Sequence, residues 1–173
     1  LRGPHVEPGL AEGINRAARE QADGMREEGE VPEGVDLEQL VKEAVRELVG
    51  FGAVGPLLED DDVSEIHCLR HDQVLIVKAG QLALADCVFT KDEAVGLAIE
   101  RLAVQSGEPV RQGERVIERR LPKGAHMLAF VPPASSMHAL VIRKRRKVEM
   151  ALEDFVRLAA LSRQMATFLE QCL

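Results

Sequence analysis

Residues 63–89 read VSEIHCLRHDQVLIVKAGQLALADCVF, and this stretch decides the fold class. Apolar and β-branched residues cluster in three short runs, which predict strands over Val63–Leu69, Val74–Lys78 and Leu82–Phe89. Ala79-Gly80-Gln81 separates the last two runs and predicts a hairpin connection. Because strands joined by tight turns pair antiparallel, the stretch indicates a hairpin-rich sheet.

Helical patterns surround these strands. Leu10–Glu28 predicts a surface helix or arm, Asp36 caps a helix with core-spaced aliphatic residues, and Gly55-Pro56 predicts a turn. Thr90–Glu93 has the form of a capping box that opens a helix to about Gln105. Three further strands (Val116–Leu121, His126–Val131, His138–Lys144) and two C-terminal helices (Leu152–Ala160, Arg163–Leu173) are predicted. This order indicates an α+β fold with a mixed or antiparallel sheet, flanked by N-terminal and C-terminal helices.

The chain divides into three segments. Residues 1–35 are predicted to be a linker and helical arm, residues 36–147 the α+β domain, and residues 148–173 a helical linker. Since the chain begins with Leu1 rather than Met, we expect it to be a piece of a longer protein.

Composition excludes several classes of protein. The 173 residues are 46% hydrophobic and 29% charged, which suffices for one buried core. Aromatic residues make up 3%, all phenylalanine, so a base-stacking nucleic-acid module is disfavoured. No apolar run approaches the ~20 residues that span a bilayer.

The three cysteines favour a reduced, cytoplasmic compartment, because they are odd in number and form no C-x-x-C pair. A zinc site would have to use His67, Cys68 and His71. Strand alternation places His67 and Cys68 on opposite faces, so no metal is expected.

Charge is distributed unevenly along the chain. Residues 1–100 carry a net charge of −13 and residues 101–173 a net charge of +6. Five consecutive cations, Arg143-Lys144-Arg145-Arg146-Lys147, end the last predicted strand. They suit phosphate groups, anionic lipid headgroups or a solvated linker, and composition alone leaves these three open. Alternation directs Arg143 and Arg145 to one face and Lys144 to the other.

No enzyme motif is present. The sequence lacks G-x-x-x-x-G-K-[ST], G-x-S-x-G, H-E-x-x-H and G-x-G-x-x-G. The chain is therefore not expected to hydrolyse ATP by itself, and no catalytic residue is assigned.

Several blocks, in the same order, resemble the opening of the VirB11/CpaF (TadA)-type secretion ATPases. These blocks are Leu48–Leu58 (LVGFGAVGPLL), Asp62–Ile66 (DVSEI), Val74–Gln81, Arg120–Gly124 (RLPKG), Phe130–Pro133 (FVPP), Val141–Lys144 (VIRK) and Leu152–Ser162 (LEDFVRLAALS). The resemblance extends from about Glu38 to Leu173.

The resemblance implies a PAS-like N-terminal domain of a type II/IV secretion or pilus-assembly ATPase. In that family the domain closes over ATP and Mg²⁺ held by a RecA-like motor domain, within a hexamer. The resemblance therefore implies that this chain alone holds no cofactor. It further implies inner-membrane platform proteins as partners and a cytoplasmic position at the inner membrane. Nucleic acid is not an expected partner.

The resemblance also implies which side chains contact nucleotide phosphate. The arginine of the family's "TIRK" motif falls on Arg143, with Lys144 beside it. A second family arginine, after "RLPDG", falls on His126, and Arg120 lies in the same block. Arg145, Arg146 and Lys147 are expected to form a basic surface tract. The alternative is a degenerate, non-catalytic adaptor that binds secretion-system partners or a membrane surface through this tract.

Overall fold

Six helices and six strands form the described part of the chain, residues 8–145 and 150–172 of a computed structural model. The helices are α1 (Pro8–Glu27), α2 (Leu37–Val49), α3 (Val54–Glu59), α4 (Asp92–Gln105), α5 (Leu152–Arg157) and α6 (Arg163–Cys172). The strands are β1 (Val63–Arg70), β2 (Gln73–Lys78), β3 (Gln81–Leu84), β4 (Val116–Arg120), β5 (His126–Phe130) and β6 (Ala139–Arg143). The predicted α+β class is therefore confirmed.

All six strands belong to one sheet with the order β3-β2-β1-β6-β5-β4. Every neighbouring pair is antiparallel. The sheet thus consists of two consecutive three-stranded meanders, β1–β3 and β4–β6, which join only between β1 and β6. Helix α4 connects the two meanders along the chain.

The core lies between α4 and one face of the sheet, which we call the inner face. Alternate residues of the central strands point into it, among them Ile66, Cys68, Met127, Leu140 and Ile142, each with no measurable exposure. Val95, Ile99 and Leu102 of α4 belong to the same buried cluster, as their spacing predicted. The predicted separation of His67 from Cys68 is confirmed, because Cys68 is buried on the inner face while His67 keeps partial exposure on the opposite face. Burial raises the pKa of the Cys68 thiol to about 12.

The helical pair α1–α2 is attached to the core by its C-terminal end. The carboxylate of Asp36 accepts the backbone N–H of Glu38 at 2.9 Å, which confirms the predicted cap of α2. At the other end of α2, the Arg101 guanidinium donates to the carbonyls of Glu47, Leu48 and Gly50 at 2.5–2.9 Å. These are carbonyls that a helix C-terminus leaves without partners, so Arg101 of α4 holds α2 in place.

The predicted turn at Gly55-Pro56 is wrong, since these residues lie within helix α3. Pro56 is the third residue of the helix, where a backbone N–H has no intrahelical acceptor. A proline there costs no hydrogen bond, so the dipeptide is compatible with the first turn of a helix.

Strand β3 is shorter than predicted and ends at Leu84 instead of Phe89. The Ala85 N–H still bonds to the Val74 carbonyl, and the regular pairing stops there. Four residues later the Phe89 ring enters the core with 2% exposure. The ring lies against Gly52, where an added Cβ would come within 2.3 Å of Phe89 Cε1. The predicted strand segment thus includes a ring that packs in the core rather than a residue paired with β2.

The capping box predicted at Thr90 does not form, although α4 ends at Gln105 as expected. The Thr90 backbone N–H donates to Glu47 Oε2 of α2 at 3.1 Å, and the Thr90 hydroxyl also contacts the Glu47 carboxylate. This contact between distant segments replaces the local cap.

Helix α5 ends at Arg157 rather than Ala160, because Ala159 adopts a left-handed φ of 56°. The Ser162 hydroxyl accepts the Met165 backbone N–H at 3.2 Å, which confirms the predicted cap of α6.

Candidate functional site

The face of the sheet opposite the core, here called the outer face, carries the charged residues of interest. Arg120, His126, Arg143 and Glu65 are successive register partners across β4, β5, β6 and β1. Partners in register point to the same face of a sheet. None of these four side chains is buried. Three of the four predicted phosphate-contact residues therefore share one row, which we call the cationic row: Arg120, His126 and Arg143.

The dimensions of the cationic row are set by strand spacing. Adjacent strands lie about 4.8 Å apart, so the Cα atoms of Arg120 and Arg143 are about 10 Å apart with His126 between them. Arginine offers a planar fork of donors, and the two forks bracket an imidazole. The row therefore places hydrogen-bond donors from three neighbouring strands on one face.

Two carboxylates lie beside the cationic row and compete for its cations. Glu65 Oε1 is 3.5 Å from Arg143 Nε, and Glu65 Oε2 is 2.9 Å from His67 Nε2. In the neighbouring strand, Glu118 Oε1 is 2.9 Å from His126 Nε2. Glu65 and Glu118 orient the Arg143 and His126 side chains, and their negative charges reduce the positive potential that an anion would experience.

Sequence reasoning did not single out Glu65, His67 or Glu118 as members of this face. A detectable signal existed for two of them. Ile66 and Cys68 alternate with Glu65 and His67 along β1, so burial of the first pair directs the second pair outward.

Lys144 is separated from the cationic row. Its ammonium points toward α3, where it donates to the Leu57 carbonyl at 3.1 Å and also to the Asp60 carbonyl. Burial lowers the pKa of Lys144. Lys144 thus caps the C-terminal carbonyls of α3, as expected for a residue that alternates away from Arg143.

Arg145, two residues after the end of β6, lies in space next to the connection between β4 and β5. Its side chain passes 3.4 Å from the position that a Cβ would take on Gly124. The remaining members of the predicted basic tract, Arg146 and Lys147, lie outside the described residues.

Arg119, the neighbour of Arg120, points inward and is 7% exposed. Its guanidinium forms a bidentate pair with Glu114 at 2.8 and 3.0 Å and donates to the carbonyls of Glu108, Pro109 and Glu118 at 2.7–3.3 Å. The arginine lowers the pKa of Glu114 to about 2. Arg119 therefore anchors the segment between α4 and β4 and is unavailable to a ligand.

Within the described residues, no cluster of three or more His, Cys, Asp and Glu side chains is suited to a metal ion. In the same part of the chain, none of the helices has the length and apolar character needed to cross a membrane.

Comparison with known proteins supports the fold. No protein-family model and no curated protein matches the chain. Among solved structures, the chain is similar to the VirB11 ATPase of the Brucella suis type IV secretion system, solved in complex with sulphate. The match has a TM-score of 0.50 and 20% identity, and it covers 61% of this chain and 33% of that ATPase. It confirms, for the fold, the resemblance that the sequence motifs indicated.

Proposed function

We propose that this chain is the N-terminal domain of a secretion or pilus-assembly ATPase and that it closes over nucleotide held by a RecA-like motor domain. The observation that carries this proposal is the cationic row, which brings Arg120, His126 and Arg143 together on one accessible face. The fold likeness to a secretion ATPase, whose structure was solved with an oxyanion, supports it.

The residues of this chain would contribute charge and positioning, not hydrolysis. Arg143 and Arg120 would donate bidentate hydrogen bonds to phosphate oxygens and stabilise charge that develops during phosphoryl transfer. His126 would add a hydrogen bond, and a positive charge only when protonated. The motor domain would supply the phosphate-binding loop and the Mg²⁺ that accompanies ATP.

Glu65 and Glu118 make the row a weak anion site by itself. An entering phosphate would have to displace the Glu65 carboxylate from Arg143, 3.5 Å away, and remain near it. Affinity would rise when a second domain presents the nucleotide and excludes water, because electrostatic interactions strengthen at low dielectric. Domain closure and phosphate contact would therefore be coupled.

The proposal includes an assembly and a location. The domain would work within a hexameric ring and transmit closure to inner-membrane platform proteins from the cytoplasmic side. These elements rest on the family resemblance alone.

A second candidate function is the non-catalytic adaptor. The specific observation in its favour is that Arg143 and His126 already face carboxylates, so the charge of Arg143 is partly neutralised and the His126 ring is already hydrogen-bonded without a ligand. An adaptor would use this surface to bind a protein partner instead of nucleotide.

The test begins with the chain itself. Pyrophosphate and Mg²⁺-ADP are titrated onto ¹⁵N-labelled protein, and the arginine side-chain and backbone signals are followed by NMR. We expect saturable shifts at the cationic row, weakened at least severalfold by Arg143→Ala. Arg157→Ala is the matched control, since Arg157 is an exposed arginine that pairs with Asp154 in α5.

The reading frame beyond Leu173 is the second test. A G-x-x-x-x-G-K-[ST] motif there would allow ATPase measurements on the longer protein, in which Arg143→Ala should reduce kcat. An absent motif, or unchanged hydrolysis in Arg143→Ala, would favour the adaptor.

A further inference from the structure

Strand β3 forms one edge of the sheet, and this edge has the properties of a surface that pairs with another chain. Strand β3 is the last strand on its side of the sheet, and all four residues, Gln81–Leu84, are exposed. Leu82 and Leu84 are 64% and 69% exposed, both on the outer face. Sheet edges are usually protected by charge, proline or a bulge, and the sequence Gln-Leu-Ala-Leu contains no charge and no proline.

The opposite edge of the sheet is protected. Strand β4 exposes the charged side chains of Glu118 and Arg120 on the outer face, so an approaching strand would meet charge there. The two edges therefore differ in their capacity to pair with another strand. A contact through β3 would join two copies and would not continue into a longer assembly through β4.

The register of the β2–β3 hairpin shows which backbone groups are free. Lys78 pairs with Gln81 across the two-residue connection Ala79-Gly80, and Ala85 donates its N–H to the Val74 carbonyl. Backbone groups alternate between the two sides of a strand. Gln81, Ala83 and Ala85 therefore bond to β2, while Leu82 and Leu84 present their N–H and C=O groups to the outside.

We propose that β3 pairs antiparallel with β3 of a second copy of this chain, about a twofold axis at Ala83. Leu82 of each copy would exchange two backbone hydrogen bonds with Leu84 of the other, giving four in total. The four leucine side chains would meet on the outer face, next to Leu75 and Val77 of β2. The contact requires neither nucleotide nor a motor domain, so it is independent of the proposed function.

A second copy is the occupant that the sequence of the edge favours. In this register Leu82 lies opposite Leu84 and Gln81 opposite Ala85, so no like charges face each other. A twofold contact uses the same patch on both subunits and closes upon itself. Two such edges form one continuous twelve-stranded sheet whose outer ends are the charged β4 strands.

Disulfide trapping tests both the contact and its register. Ala83 would face its own copy as a pair without hydrogen bonds, with Cα atoms about 4.5 Å apart, which is within the disulfide range. Gln81 would lie about 14 Å from its own copy, which is too far. In a Cys172→Ser background, Ala83→Cys should therefore cross-link on mild oxidation, and Gln81→Cys should not. Equal cross-linking of both variants, or of neither, would overturn the proposal.

Sedimentation of the unmodified chain over a wide concentration range provides the second readout. We expect a monomer–dimer equilibrium that Leu82→Lys shifts at least tenfold toward monomer. Val116→Lys is the matched control, because Val116 is an exposed aliphatic residue on the opposite edge strand, and it should leave the equilibrium unchanged. A wild-type chain that stays monomeric throughout would exclude self-pairing, and equal dissociation by both lysine variants would exclude β3 as the contact.

Discussion

Replacing Arg119 by methionine tests whether the segment between α4 and β4 is held by one buried guanidinium. The substitution keeps the aliphatic stem and removes five hydrogen bonds, two to Glu114 and three to backbone carbonyls. Breaking a buried ion pair costs about 3–5 kcal/mol, since it leaves an uncompensated charge. The Glu114 side chain is 21% exposed and regains some hydration, so we expect the lower end, about 3 kcal/mol.

Urea unfolding measures this loss. With an m-value of about 2 kcal/mol per molar urea, a loss of about 3 kcal/mol lowers the midpoint by about 1.5 M. Arg120→Met, at the exposed neighbouring position, is the control and should change stability by less than about 0.5 kcal/mol. Adding Glu114→Gln to Arg119→Met should recover part of the loss, because the unpaired carboxylate is removed. A loss below about 1 kcal/mol, or no recovery in the double variant, would refute the reasoning.

Three further predictions concern other contacts. The folded-state pKa of Glu114 is lowered to about 2, so the contribution of this carboxylate to stability is complete above about pH 4.5 and declines as the pH falls toward 2. Glu114→Gln should therefore remove this part of the acid transition when unfolding is measured at a series of pH values. Arg101→Met should lower the free energy of unfolding by about 2 kcal/mol and speed hydrogen exchange in α2, whereas Lys42→Met, an exposed substitution on α2, should do neither. Glu65→Gln should tighten pyrophosphate binding about 3- to 10-fold. The reason is that a carboxylate about 6 Å from a bound phosphate repels it by about 0.7–1.4 kcal/mol at effective dielectric constants of about 80–40. Unchanged affinity by calorimetry would contradict binding at the cationic row.

Local patterns predicted the features of the fold that depend on neighbours in sequence. Asp36 caps α2 because its carboxylate accepts the N–H groups two and three residues ahead, and such a local contact can be predicted from the sequence. The pairing of β4 with β5 followed from alternation and from Pro122–Gly124, where Lys123 and Gly124 both adopt positive φ.

Local patterns failed where a distant residue supplied the partner. Thr90 contacts Glu47, 43 positions away, instead of capping α4. Phe89, predicted to end strand β3, packs against Gly52 in the core instead. Arg119 and Arg120 have similar local surroundings in sequence, yet one is buried and the other exposed. Their difference depends on the carboxylate and carbonyls that the preceding loop brings to Arg119.

The candidate site was predictable in part. Family resemblance indicated Arg143, His126 and Arg120, and the sheet register shows that they share a face. Resemblance also included Lys144, whose position one residue after Arg143 directs it to α3. The neutralising role of Glu65 could not be inferred without knowing that β1 pairs with β6.

The single junction between the two meanders has a consequence for folding kinetics. Ile66 and Ile142 pair across the β1–β6 junction although they are 76 residues apart along the chain. Closing a loop of that length costs about 2 kcal/mol more entropy than closing a hairpin of about six residues. We therefore expect each meander to form early and the junction to form after the rate-limiting step. Ile142 contributes to both the junction and the second meander, where it pairs with Met127, so Ile142→Val should accelerate unfolding more than it slows folding. Ile76→Val, inside the first meander, should mainly slow folding. A chevron analysis with the opposite pattern would show that the junction nucleates the fold.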